Sequence, residues 1–307
     1  MTNKIEIICT LGPASLNSEF LKYSKKNIDL LRLNMSHQNI NELKKNIKFV
    51  KKFTDCPICI DTEGAQIRSK FKKKKFLKQN SKININDINA KSLGLYPPEI
   101  QRKLKLNDVL NIGFENLKIK ISKITKKNIL AKVISSGYLE NNKGIHLENR
   151  RIKLKCLTIK DFKALEIGVN NKIVNFALSF TNDLNDVKYF NKITFNNPNN
   201  IFKIETEKSV KEFNKIIKYG NNFLVDRGDL SKDVSIFKIP EIQRKLIGIK
   251  KKYKNKKVYV ATNLLESMIL NNYPTRAEAN DIYSSIEMGA DGLVLAAETA
   301  IGKYPIE

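Results

Sequence analysis

A chain of 307 residues with 41% hydrophobic content can bury one large domain, or one domain carrying an insertion. No window approaches the roughly 18 apolar residues of a membrane span, the opening "MTNKIEIICT" has no charged-then-apolar leader, and four cysteines make no disulfide framework, so a globular cytoplasmic protein is expected. The net charge of +25 is nearly all lysine, spread along the chain with Asn and Ile; it reads as a solvated surface with some attraction for anionic metabolites rather than a nucleic-acid or membrane surface.

Eight short β-branched or apolar runs predict strands, in order "KIEIICT" (4–10), "LLRLNMS" (30–36), "PICID" (57–61), "IVNFALSF" (173–180), "IFKIE" (201–205), "NFLVD" (222–226), "VYVAT" (258–262) and "GLVLA" (292–296). Helical spacing intervenes, at Ile40, Leu43, Ile47 and Val50, at Val210, Phe213 and Ile217, at Ile242, Leu246 and Ile249, and at Ala279, Ile282 and Ile286. Apolar strands alternating with amphipathic helices predict an α/β fold, a closed (β/α)8 TIM barrel. Residues 69–155 break the alternation with short Lys- and Asn-rich extended runs and turn signals at Asn107-Asp108 and Gly137. They predict a small all-β lid inserted between barrel segments 1–68 and 156–307. The run after the eighth strand is too short for a packing helix, so the last barrel helix is expected to be missing. Cys56-Pro57-Ile58-Cys59 has redox-motif spacing, but it leads into a strand and has no second pair, so it reads as structural.

In such a barrel the groups that do chemistry gather at the C-terminal ends of the strands. Here those ends carry Thr10, then Arg32, Asn34, Ser36 and His37, then Asp61, Thr62 and Arg68, then Ser179, Lys203, Glu205, Asp226, Arg227, Asp229, Thr262 and Glu298. All are expected to face one mouth. Glu205 and Asp229 would offer hard oxygen ligands to Mg2+ or Mn2+, Lys203 and Arg32 would suit a phosphoryl group in transfer, and Gly228 would let backbone N–H groups approach a carboxylate. Two histidines, His37 and His146, leave little room for a His-based triad or a His-ligated metal.

The runs "IICTLGPAS", "LLRLNMSH", "IDTEGAQIR", "LTIKDFKALEIGV", "IFKIETEKSV", "VDRGDLS", "ATNLLESMILNNYPTRAEANDI" and "LAAETAIGKYPIE" resemble, in order and approximate spacing, those of pyruvate kinases. The resemblance implies phosphoryl transfer between phosphoenolpyruvate and ADP, giving pyruvate and ATP. It implies that Lys203 contacts the transferring group, that Glu205 and Asp229 bind the divalent cation, and that Arg32 holds the substrate phosphoryl. Thr262 would lie beside the enolate face, and the backbone around Gly228 and Asp229 would receive the substrate carboxylate. Asn34, Ser36, Asp61 and Thr62 match a K+ site, and Arg68, His37, Asn34 and Lys143 match nucleotide contacts.

Departures from the family pattern are equally specific. Glu63, Ala65 and Gln66 replace Lys, Pro and Glu, and Gln66 leaves K+ dependence open. Asn182 stands where the family has Arg, and Asp226 stands where it has Ala, adding an anion beside the metal and phosphate positions. The family's C-terminal domain is expected to be absent, so any homo-oligomer would use the barrel faces. Two other readings stay open here: a divergent paralogue doing metal-assisted enolate chemistry on another 2-oxo acid, and a non-catalytic binding protein.

Overall fold

The structure is a computed structural model that describes residues 4–86, 92–113, 117–125, 128–148 and 150–307. Eight strands form a closed parallel barrel: β1 (Glu6–Thr10), β2 (Leu30–Asn34), β3 (Ile58–Asp61), β4 (Asn175–Leu178), β5 (Ile201–Ile204), β6 (Asn222–Asp226), β7 (Lys257–Ala261) and β8 (Gly292–Leu295), with β1 paired to β8. Each lies inside or within one residue of its expected run. The helices include α1 (Ser18–Asn27), α2 (Ile40–Phe53), α3 (Ile159–Asn170), α4 (Leu184–Ile193), α5 (Glu207–Ile216), α6 (Arg227–Asp233), α7 (Ile239–Lys250) and α8 (Arg276–Glu287). Capping boxes start several of them: Asn39 with Glu42, Thr158 with Asp161, and Thr275 with Glu278.

The strand period of two separates two cores. Outward residues such as Phe202, Ile204, Phe223 and Val225 pack into the large cluster shared with the helices. Inward residues Ile8, Cys59, Ala177, Ile201, Leu224, Tyr259, Ala261 and Val294 make a small apolar plug, with Leu30 packed on it. Two residues further along the same inward face come Thr10, Arg32, Asp61, Ser179, Lys203 and Asp226. Strand alternation therefore places a polar layer directly above the plug, at the C-terminal ends. Cys56 and Cys59 are buried, and burial pushes the Cys56 thiol up to about 12 and raises that of Cys59 as well, which removes the thiolate a redox pair needs.

The chain divides into two compact units, Met1–Ala65 with Lys155–Glu307, and Gln66–Leu154. Arg68, expected at the end of the barrel segment, therefore belongs to the inserted unit, and Lys155, expected in the insertion, belongs to the barrel. The inserted unit is a closed mixed barrel of seven strands, Ile67–Lys70, Lys82–Ile85, Ser92–Tyr96, Val109–Ile112, Leu117–Ile124, Ile129–Ser135 and Gly144–Leu147, around its own Ile- and Leu-rich core. Gly137 does not turn the chain as expected; it opens strand Gly137–Leu139, which pairs with Lys75–Leu77. Among the described residues, no helix is long and apolar enough to cross a membrane.

Candidate active site

At the upper end of the barrel five buried ionisable side chains meet: Arg32 (7% exposed), Asp61 (0%), Lys203 (3%), Glu205 (1%) and Asp226 (8%). The Lys203 ammonium sits among all three carboxylates, 3.3 Å from Asp61 Oδ2, 2.7 Å from Glu205 Oε1 and 3.4 Å from Asp226 Oδ2, and donates to Ser179 Oγ at 3.2 Å. Arg32 donates through Nε (2.7 Å) and Nη2 (2.6 Å) to Asp61 Oδ2 and through Nη1 to Thr10 Oγ1 (2.9 Å). Ser179 Oγ donates to Asp61 Oδ1 at 3.0 Å. Burial opposes the charge on Lys203, but Asp61, Glu205 and Asp226 outweigh it and raise its pKa, so it stays a cation. Burial, with the negative neighbours Asp226 and Asp229, raises Glu205, whereas Lys203 and Arg32 overcome burial at Asp226 and hold its carboxyl well below the usual range.

Two residues with left-handed backbone feed this cluster. Phe180, at φ 51°, is buried as core, and its N–H reaches Glu205 Oε2 at 2.6 Å. Thr262, at φ 76°, donates its hydroxyl to Asp226 Oδ1 at 2.7 Å. A β-branched residue there is a genuine outlier. The Thr262 carbonyl is clamped by Arg227 Nε (3.0 Å) and Nη2 (2.6 Å), while Arg227 Nη1 pairs with Asp281 at 2.7 Å. Arg227 thus leaves the charge cluster it was expected to join and fastens β7's exit loop to α8. Neither the Phe180 N–H nor this clamp had a signal in the sequence, because both are set by backbone conformation across separate loops. Gly228 is required by packing: a Cβ there would come within 2.8 Å of Thr262 Cγ2.

Asp229, in the first turn of α6, pairs with Lys232 at 2.6 Å. Ligand oxygens of Glu205, Asp226 and Asp229 lie within 4.8 Å of one another, a set of hard oxygens that fits a divalent cation such as Mg2+ or Mn2+. The residues matched to the monovalent cation lie at the ends of β2 and β3, where Asn34 and Asp61 are register partners. Asn34 Oδ1 accepts from the Ser36 N–H (2.9 Å), and Thr62 Oγ1 accepts from the Ser179 N–H (3.0 Å). His37 is exposed in the same loop. Arg68 and Lys143 lie in the inserted unit, where Arg68 donates to the Asn142 carbonyl (3.3 Å) and Lys143 pairs with Glu140 (2.9 Å). Two departures have local partners: buried Glu63 pairs with Lys160 at 2.8 Å, and Asn182 bridges the Phe180 carbonyl and the Thr206 hydroxyl.

Comparison with known proteins decides the lineage. The family model "Pyruvate kinase, barrel domain" matches residues 2–307. The chain belongs to the pyruvate kinase family. It is 35% identical over 330 residues to a pyruvate kinase of Buchnera aphidicola (subsp. Schizaphis graminum), which covers 100% of this chain and 68% of that protein. It is 30% identical to the pyruvate kinase of Thermotoga maritima, over 98% of this chain and 68% of the relative, and 30% identical to plastidial pyruvate kinase 3 of Arabidopsis thaliana, over 99% and 56%. The chain therefore spans between about half and two thirds of the length of these pyruvate kinases.

Proposed function

We propose that this pyruvate kinase family member transfers a phosphoryl group between phosphoenolpyruvate and ADP, yielding pyruvate and ATP. The observation that carries the reading is the Lys203 ammonium, fixed beside Arg32 and against Glu205 in a buried mouth. Phosphoryl transfer needs positioning and charge neutralisation more than covalent help. Arg32 and Lys203 are cations already oriented by Asp61, so they need little reorganisation as charge develops on the transferring group. Glu205 and Asp229 would hold Mg2+ or Mn2+, which when bound supplies Lewis-acid stabilisation to the enolate and phosphoryl oxygens. Thr262 would stand beside the enolate carbon, and the backbone around Gly228 and Asp229 would take the substrate carboxylate. Asn34, Ser36, Asp61 and Thr62 would supply an all-oxygen K+ site, and within the barrel unit His37 and Asn34 would contact the nucleotide.

A coupled assay for pyruvate and ATP from phosphoenolpyruvate, ADP and Mg2+, with and without K+, tests this. Turnover that disappears in Lys203→Met is expected; a folded wild-type chain without turnover refutes it. One observation favours a second reading, metal-assisted enolate chemistry on another 2-oxo acid: Asp226 puts a third carboxylate against two cations in the mouth, which lowers its attraction for phosphate. Oxo-acid binding without nucleotide binding would select that reading.

A further inference from the structure

We propose that Asp226 is a third protein ligand of the divalent cation, so that this chain takes up the metal before, and independently of, its substrate. The inference deepens the proposed reaction and rests on it for the cation's role, but the binding it asserts is measurable without turnover. Three observations support it. First, Asp226 shares the inward face of its strand with Leu224, and its carboxylate lies in the same group of oxygens as Glu205 and Asp229, all within 4.8 Å. Oxygens bound to one six-coordinate ion at ~2.1 Å are separated by about 3 Å when adjacent and about 4.2 Å when opposite, so small side-chain adjustments bring the three onto one centre. Second, Glu205 Oε1 is buried and accepts no hydrogen bond of good geometry, although the Lys203 ammonium is 2.7 Å away. Its ion pair with Lys203 leaves an acceptor direction of this buried oxygen open toward the group of hard oxygens, where a cation can take it. Third, within the five-residue cluster the carboxylates Asp61, Glu205 and Asp226 outnumber Arg32 and Lys203. A buried cluster with more carboxyl groups than cations favours the uptake of a further cation.

The remaining contacts of Asp226 are compatible with ligation. Oδ1 accepts from Thr262 Oγ1 at 2.7 Å and Oδ2 faces Lys203 at 3.4 Å, and each carboxylate oxygen has two acceptor directions. With two carboxylates, Mg2+ characteristically completes its shell from substrate. A third raises affinity for the free ion and leaves less net positive charge for a phosphoryl group. Cation affinity is thereby exchanged for phosphate affinity at one position.

Mn2+ binding to the full chain, without substrates, is measured by electron paramagnetic resonance of the free ion and by calorimetry. Wild type, Asp226→Asn, Asp226→Ala and Glu205→Gln are compared, with circular dichroism and melting curves confirming the fold of each. Asp226→Asn keeps an acceptor for Thr262 and removes only the charge. The expected result is stoichiometric Mn2+ binding by wild type, weakened at least about tenfold in both Asp226 variants and in Glu205→Gln. Equal affinity in wild type and Asp226→Asn overturns the inference, as does absence of binding to wild type until substrate is added, or binding indifferent to Glu205→Gln. None of these outcomes depends on turnover: a wild type that binds Mn2+ through Asp226 yet makes no ATP leaves the inference standing and removes the kinase reading instead.

Discussion

Replacing Thr262 by glycine should yield a more stable protein than replacing it by alanine, the reverse of the usual order. Both substitutions delete the hydroxyl given to Asp226 and the methyl lying over Gly228, so those losses cancel in the comparison. What differs is a Cβ at φ 76°. A non-glycine residue held in the left-handed region costs about 1–3 kcal/mol, whereas glycine in an ordinary position is less stable than alanine by about 0.5–1 kcal/mol. The difference favours glycine by about 1 kcal/mol, or about 2–4 °C in Tm for a domain of this size class. Thermal melting by far-UV circular dichroism, with urea midpoints at matched slopes, measures it. An alanine variant as stable as the glycine variant would show that the loop relaxes freely and that Arg227 does not hold the backbone in strain. Activity should fall equally in both, since each lacks the same hydroxyl.

Four further outcomes are expected. Lys203→Met leaves Asp61, Glu205 and Asp226 against Arg32 alone, so turnover in the coupled assay should drop at least about a hundredfold and the protein should lose about 3–5 kcal/mol by urea titration. Arg227→Lys removes the forked grip on the Thr262 carbonyl and should cost about 1–2 kcal/mol with a larger loss in kcat than in KM, read by melting and steady-state kinetics. Burial opposes ionisation of Glu278, but donors from Ser267 and Thr275 hold its carboxyl down at about 2 against an ordinary 4.5. Its folded-state pKa is depressed, so its contribution is complete above 4.5 and is lost as pH falls toward 2; the Tm gap between wild type and Glu278→Gln should close over that window. In the inserted unit Arg150 donates to both oxygens of buried Asp108 at 2.8 and 2.6 Å, and Arg150→Ala should destabilise it by roughly 1.5–3 kcal/mol, seen as earlier proteolysis within residues 66–154.

The barrel was legible because its strands are short, apolar on both faces and bounded by turns, so periodicity alone located Ile201–Ile204 and Asn222–Asp226. The polar layer was legible for the same reason: a strand that reads apolar at Ile201 and charged at Lys203 must carry that charge on the inward face, above the plug. Boundaries were less so. The inserted unit begins at Gln66, because Ile67 and Arg68 already pair with Ile145 and Gly144, a long-range antiparallel contact that no local pattern announces. Gly137 was misread as a turn because strand Gly137–Leu139 is three residues long and exists only through its partner Lys75–Leu77. The direction of Arg227 was invisible for a related reason: its neighbours Asp226 and Asp229 face the mouth, and only the positions of α7 and α8 show that Gln243 and Asp281 draw it the other way.

Two departures from local rules converge on the buried cluster. Several left-handed residues sit in turns and are Asn, which tolerates that conformation: Asn80, Asn107, Asn142 and Asn196. Lys172 and Phe195 depart from that pattern in exposed turns, and Phe180 and Thr262 depart from it in the interior of the site. One is aromatic and buried, the other β-branched, and each delivers a hydrogen bond to a different carboxylate of the buried cluster, Phe180 to Glu205 and Thr262 to Asp226. A sequence selected for stability alone would place glycine or asparagine at both positions and would not bury three carboxylates with two cations. Strain of this kind persists only where the surroundings over-determine it. Here Arg227 from α6 and Asp281 from α8 pin one loop, and Asn182 with Thr206 pins the other. The backbone is therefore held so that donors meet Glu205 and Asp226 with fixed directions, which keeps the two carboxyl groups from relaxing into other contacts.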